Sequence, residues 1–112
     1  MRVHSELGPG LLESAYHECL QCELEGLGLQ VDSEFAVEVT YRGRTLNCAY
    51  RIDLVVERTL ALELKSVSSL QPIHNAQMLT YLRLSRLPVG LLMNFNVPQL
   101  RLGIRRFVRP PD

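Results

Sequence analysis

No stretch of this 112-residue chain approaches the roughly 20 apolar residues in a row that a membrane-spanning helix needs. The opening Met1-Arg2-Val3-His4-Ser5-Glu6 has none of the apolar core of a secretory leader, so the cytoplasm is the expected location and no membrane partner is expected. Cysteine is scarce and odd in number (Cys19, Cys22, Cys48), which argues against a disulfide framework. Cys19 and Cys22 form a C-x-x-C, but no second pair completes a zinc site, and the helical pattern around them predicts core packing. Repeats and linkers are also absent, and the formal net charge is zero.

What is present suits one globular domain over residues 1–112, with 46% apolar and 21% charged residues. The zero net charge hides an asymmetry. Residues 1–56 hold four arginines against nine acids, whereas residues 57–112 hold eight basic residues against three acids. Local basic patches of this kind bind phosphates even when the total charge is neutral.

Leu7-Gly8-Pro9-Gly10 is a breaker, and the residues before it predict the end of a helix. From Leu11 to Leu27 apolar residues recur at helical spacing, and Gly26 and Gly28 close that helix. Residues 30–41 alternate as a strand through Val31, Phe35, Val37 and Val39, followed by a turn at Tyr41-Arg42-Gly43-Arg44. Two further period-two runs flank a tight turn near Arg58. Pro72 opens a second helix that Pro88 ends. Val89–Met93 suits a buried strand, and Ile104–Val108 an edge strand. The order, helix, three strands, helix, strand, predicts an α/β domain, αβββαβ.

A turn centred on Arg58 pairs residues whose numbers sum to 116, setting Asp53 opposite Glu63 and Arg51 opposite Lys65. Glu63 and Lys65, two apart, share a face. Opposed carboxylates destabilise a sheet unless a cation lies between them. Mg²⁺ or Mn²⁺ held through oxygen does this, and such an ion polarises a phosphoryl oxygen and acidifies a water. Lys65 is then placed to orient that water. An ordinary scatter of charges on an exposed hairpin face is the competing reading. On a helical wheel Glu13 lies towards the edge of the apolar arc, and Glu23 lies deeper in it; either could pair with an arginine. In the second helix His74, Gln77 and Tyr81 form one polar stripe, suited either to a cleft or to solvent.

Asp53, nine residues, then Glu63-Leu64-Lys65 resembles the D…(D/E)-x-K signature of PD-(D/E)XK nucleases, with Ile52 where a proline is usual. Gln77-Met78-Leu79-Thr80-Tyr81 resembles the Q-x-x-x-Y motif of the RecB-like branch. Gly10-Leu11-Leu12-Glu13-Ser14-Ala15-Tyr16 is similar to the motif that names the GxxExxY family of small predicted nucleases, and the likeness runs from residue 5 to about 108. The resemblance implies a restriction-endonuclease-like core, a mixed sheet flanked by helices, with Asp53, Glu63 and Glu13 as Mg²⁺ or Mn²⁺ ligands, Lys65 as the catalytic lysine and Gln77 as an auxiliary polar residue.

The expected activity is phosphodiester hydrolysis of DNA or RNA, with Arg51, Tyr81, Arg101 and Arg105 contacting the nucleic acid. A homodimer would grip two strands, and a partner protein would choose the target. The rival classes are a non-catalytic nucleic-acid- or partner-binding module on the same fold, and a metal-stabilised structural protein.

Overall fold

Alternating apolar residues after the first long helix build the sheet, and the placement of turns decides which strands meet. The computed structural model describes residues 2–46 and 50–111, so Cys48 lies outside the described residues. The elements are α1 (Arg2–Leu7), α2 (Glu13–Gly26), β1 (Val31–Ala36), β2 (Val39–Tyr41), β3 (Arg44–Leu46), β4 (Arg51–Val56), β5 (Leu60–Lys65), α3 (Pro72–Ser85), β6 (Val89–Asn94) and β7 (Ile104–Val108), with a 3-10 turn at Leu100–Gly103 before β7. Five strands form one mixed sheet in the order β1-β4-β5-β6-β7, while β2 and β3 form a separate hairpin. Among the described strands only β5 and β6 run parallel, joined through α3, as a parallel pair needs a crossover. The expected αβββαβ core is realised as α2, β1, β4, β5, α3 and β6.

Two cores lie on opposite faces of the sheet. Tyr16, Leu54, Val56, Leu62, Leu64 and Phe95 pack beneath α1 and α2. Ile52, Val55, Ala61 and Leu92 of the sheet pack against Met78 and Leu82 of α3. Each fully buried side chain of leucine or isoleucine size contributes about 1.5–3 kcal/mol. A Cβ at Gly90 would come within 2.6 Å of the Met78 sulfur, so this glycine lets α3 lie close on β6. Pro72 sits in the first turn of α3, and the Gln71 N–H donates to His74 Nδ1 at 2.9 Å. His74 therefore caps the helix and does not extend the polar stripe of Gln77 and Tyr81.

Two expectations change, and a third is met in one of its expected forms. The strand expected over residues 30–41 is two strands, β1 and β2, separated at Val37 and Glu38. Val37 is buried in the core beneath α3, and its N–H donates to the Tyr50 carbonyl, which carries the β1–β4 register one row beyond Ala36 and Arg51 before the chain leaves for β2. Cys19 and Cys22 are exposed free thiols, not core residues. The buried ridge of α2 is Tyr16, Leu20 and Leu24, a strict four-residue spacing that leaves the cysteines outside it. Glu23, placed deep in the apolar arc by the wheel, is half-buried and pairs with Arg2 at 3.1 Å.

The breaker between α1 and α2 is held by Tyr16. Its hydroxyl donates to the Gly8 carbonyl at 2.6 Å and accepts the Leu11 N–H at 3.1 Å. Its ring stacks on Phe95 with centroids 4.4 Å apart. His4 Nε2 reaches the carbonyls of Phe95 and Val97 at 3.1 and 2.9 Å, so that nitrogen carries the proton and donates to both. Replacing Tyr16 by Phe keeps the stacking and removes the hydroxyl. The expected cost is about 1–3 kcal/mol in urea denaturation; an unchanged midpoint would show that the ring alone holds the breaker.

Candidate active site

The strands around Asp53 do not continue as a regular ladder. The β4–β5 pairs Leu54↔Leu62, Val55↔Ala61 and Val56↔Leu60 keep the register expected from the turn, and the next row holds Asp53 and Glu63. There side chains replace main-chain partners. The Asp53 N–H donates to Glu63 Oε1 at 2.9 Å, and the Leu64 N–H donates to Asp53 Oδ2 at 2.8 Å. Each carboxylate thus satisfies a backbone donor of the other strand, and the pair wedges open a fork. Arg51 pairs with Ala36 of β1 and belongs to no ladder pair with Lys65.

On its other side Asp53 faces Glu34. The β1–β4 pairs Ser33↔Leu54 and Phe35↔Ile52 bracket these two residues, which are not themselves paired. Glu34 has a φ of 54°, in the left-handed region that is uncommon for a residue with a Cβ. Strict alternation would put Ile52 and Leu54 on one face, yet they lie in opposite cores. Val31 and Phe35 likewise pack against opposite cores. Both strands therefore change face at Glu34 and Asp53, together and in register. Glu34, Asp53 and Glu63 occupy one transverse row over three adjacent strands, each step about 4.8 Å.

Glu63 alternates with Leu62 and Leu64, which face α2, so it points towards α3. Asp53 instead lines a cleft of about 440 Å³ with Glu13, His17, Glu34 and Leu64, beside the first turns of α2. The start of α2 is fixed by Ser66, whose Oγ donates to the Leu11 carbonyl at 2.7 Å, one residue beyond Lys65. The buried Asn94 clamps the same loop, accepting the Val67 N–H at 3.1 Å and donating to the Val67 carbonyl at 3.0 Å. No motif or spacing signals the roles of Asn94 and Ser66.

Burial dominates the electrostatics. It lifts the Asp53 carboxyl above its ordinary range, opposed by the Leu64 N–H and by the charges of His17 and Lys65, while Glu34 adds to the rise. Glu63, buried beside Asp53, is pushed up to about 8 by burial first and by Asp53 second. The Asp53 N–H and Lys65 offset part of that, and Glu13 adds to it. The Tyr81 hydroxyl is raised too, by burial and then by Glu63. Such a pair resists full ionisation until positive charge arrives. Oxygen donors of this kind fit a hard divalent cation.

The structure brings Asp53, Lys65 and Glu13 each within electrostatic reach of Glu63, and Lys65 within reach of Asp53 as well. Tyr81 is buried, with its ring 6.4 Å from that of Tyr50, so it supports the site from below and offers no open stacking face. Gln77 is half-buried one turn earlier on α3. Arg105 is exposed on β7 in the row of Leu92 and Glu63, with NH1 donating to Asn75 Oδ1 at 3.0 Å. Arg101 lies beside α1 with His4 and Ser5, away from the acidic cleft, and bonds to Gln99. The sequence reading missed His17 and Glu34. The available signal was that Glu13 and His17, four apart, share one face of α2.

A family model described as the PD-(D/E)XK nuclease superfamily matches residues 1–107. The chain belongs to that superfamily. Its five-stranded mixed sheet flanked by helices is consistent with the restriction-endonuclease-like core. The crystal structure of SSO0001 shares this fold, with a TM-score of 0.59 and 23% identity over 86% of this chain. The matched region spans about half of that chain, 49% of its length. No curated protein matches the sequence. Among the described residues no helix is long and apolar enough to cross a membrane.

For this superfamily member the buried acids carry a stability cost. A carboxyl raised from 4.5 to about 8 on folding favours the folded state when protonated, and that advantage is lost as pH rises through the folded value. Glu63→Gln keeps an oxygen for the Asp53 N–H and cannot ionise. In EDTA its melting temperature should gain on that of wild type as pH rises from about 5 to about 9. A variant that melts lower than wild type at the alkaline end would contradict this account.

Proposed function

We propose that the protein is a metal-dependent nuclease of the GxxExxY group, working as one domain on the phosphodiester bonds of DNA or RNA. The observation that carries this reading is the fork at which Asp53 and Glu63 exchange backbone donors, with Lys65 two residues along the same strand. Asp53 and Glu63, with Glu13 at the start of α2, would hold Mg²⁺ or Mn²⁺. A cation bound there supplies positive charge to a phosphoryl oxygen and acidifies a water.

The chain's own residues do the rest. Lys65 shares the Glu63 face, orients the attacking water and offsets charge gathering on the phosphate. Burial of Glu63 keeps bulk water from screening that interaction. Gln77 lends a hydrogen bond from α3, and Tyr81 packs beneath Glu63. Arg51 and Arg105 are exposed on the sheet strands, and together with Arg101 they would contact the phosphate backbone. A homodimer would let two such sites address two strands, and target choice would come from a partner protein.

The test is cleavage of a panel of single- and double-stranded DNA, RNA and forked duplex with Mg²⁺, Mn²⁺ or EDTA. Wild type is expected to cut only with metal. Asp53→Ala and Lys65→Ala should each lose at least about a hundredfold in rate, the scale of removing one electrostatic stabiliser. A folded, metal-binding protein that cuts nothing in the panel would favour a binding module. Cleavage retained in both variants would place the chemistry elsewhere.

A further inference from the structure

β2 and β3 form a two-stranded ribbon beyond the end of the β1–β4 ladder. That ladder runs through Ala36↔Arg51 to Val37, whose N–H donates to the Tyr50 carbonyl at 3.0 Å. The ribbon pairs Val39↔Leu46, Thr40↔Thr45 and Tyr41↔Arg44 lie past it. A hairpin this short is marginal in water unless one face is laid on a core. Yet β3 is exposed at every residue and β2 at all but Val39, so neither face is covered by the other described residues.

The chemistry of the ribbon differs from that of its surroundings. Residues 39–52 hold Arg42, Arg44, Arg51, Tyr41 and Tyr50 and no acid, within a half of the chain that has nine acids and four arginines. Tyr41 is 61% exposed and Tyr50 is 50% exposed, whereas Tyr16 and Tyr81 are buried. Arg42 and Gly43 have φ of 52° and 77°, the left-handed pair of a tight two-residue turn. At that turn the Arg42 guanidinium lies over Tyr41, its carbon 5.5 Å from the ring centroid. Arg44 stands directly opposite Tyr41 on the same face.

Tyr50 links the ribbon to the acids. Its ring lies 6.4 Å from that of Tyr81, tilted by 54°, and keeps half its surface in solvent. The Tyr81 hydroxyl, raised by burial first, also feels Glu63, Tyr50 and Asp53. Along the strand Tyr50 is three residues from Asp53, about 10 Å, and Tyr41 is farther out.

We propose that the ribbon is a stacking platform for single-stranded nucleic acid, with Tyr50 and Tyr41 taking unpaired bases and Arg42, Arg44 and Arg51 taking phosphates. This deepens the nuclease reading and rests on it for the strand's destination, the acidic cleft. Aromatic rings flanked by cations bind single strands with little regard to sequence, because every base has a flat face. Inside a duplex those faces are stacked on one another, so the platform favours unpaired strands, ends and flaps.

Affinity is measured by fluorescence anisotropy on end-labelled probes of about 12 nucleotides, within the range of single-strand sites. The probes are single-stranded DNA, single-stranded RNA, duplex DNA, and a DNA backbone of equal length carrying abasic spacers throughout. EDTA is present, so a metal-dependent enzyme cuts none of them. The platform lies beyond the screening length of about 8 Å from the acids, so its binding does not need their metal.

Wild type should bind both base-bearing single strands at least about fivefold more tightly than the abasic backbone or the duplex. Tyr41→Leu and Tyr50→Leu should each lose at least about fivefold on those strands and nothing on the abasic one, whereas Tyr41→Phe and Tyr50→Phe, which keep the ring, stay within about twofold of wild type. Arg42→Gln and Arg44→Gln should weaken all single strands alike and lower the salt slope by about 0.7 each. Both tyrosines are exposed, and an unchanged melting temperature checks that the variants are folded. A preference for DNA or for RNA that keeps the tyrosine dependence supports the platform and identifies its strand.

Equal affinity of wild type for base-bearing and abasic strands overturns the inference. So do tighter binding of the duplex, no binding of any probe, or leucine variants that bind like wild type. Metal-dependent cleavage by a protein with any of these results would leave the nuclease reading standing without the platform. Binding as described by a protein that cuts nothing in the metal panel would remove the nuclease reading and leave a single-strand-binding ribbon.

Discussion

The structure turns on two hydrogen bonds, from the Asp53 N–H to the Glu63 carboxylate and from the Leu64 N–H to the Asp53 carboxylate. Two buried acids on neighbouring strands would normally repel and leave unpaired amides behind. Here each acid takes up the donor that the opened ladder exposes, so the fork has no orphaned N–H at its apex. The like charges are held together by bonds to the backbone of the strand opposite. The cost falls on ionisation, and burial is its largest cause for both groups.

A fork of this kind needs rigid surroundings, and they come from both faces. Tyr16 and Ser66 tie the breaker before α2 to the core and to the end of β5, which sets where Glu13 and His17 enter the cleft. Asn94 holds the loop leaving β5 from the neighbouring strand. The glycine of the G-x-x-E-x-x-Y stretch has a φ of +99°, open to a residue without a side chain. The tyrosine of that stretch is a structural anchor, and its glutamate lines the cleft. One short motif thus combines a turn, a tether and a candidate ligand.

Much of this arrangement was legible before any coordinates. Element order, the capping proline of α3 and the hairpin register all follow from period, turn chemistry and the sum rule about Arg58, which the pair Leu54↔Leu62 obeys. The row of Asp53 and Glu63 follows from the same rule. The paired change of face was not legible. It depends on Glu34 adopting a left-handed backbone that glycine would have signalled and glutamate does not. Without it, alternation places Val31, Phe35 and Val37 on one face, whereas Val31 packs in one core and Phe35 and Val37 in the other. His17 escaped for a related reason. A helical wheel sorts residues by polarity, whereas the first turns of α2 overhang a polar cleft, so the polar side there faces the site. Tyr81 was illegible in the opposite sense, since the polar stripe it shares with Gln77 does not reveal that its side chain is buried.

The charge asymmetry of the chain acquires a spatial meaning through the strand order. Glu34 and Asp53 lie on β1 and β4 at one side of the sheet, and Arg105 and Arg106 on β7 at the far edge, with Glu63 and Lys65 between. From Asp53 to Arg105 there are three strand spacings, roughly 14 Å. Charges that far apart in solvent interact weakly, because the screening length at physiological salt is about 8 Å. The arginines can therefore attract a polyanion to the edge of the sheet without neutralising the acids of the cleft. A phosphate arriving at Asp53 and Glu63 would still meet negative charge, opposed from within the chain chiefly by Lys65 and His17. The geometry leaves room there for added cations, and an anionic substrate would need them.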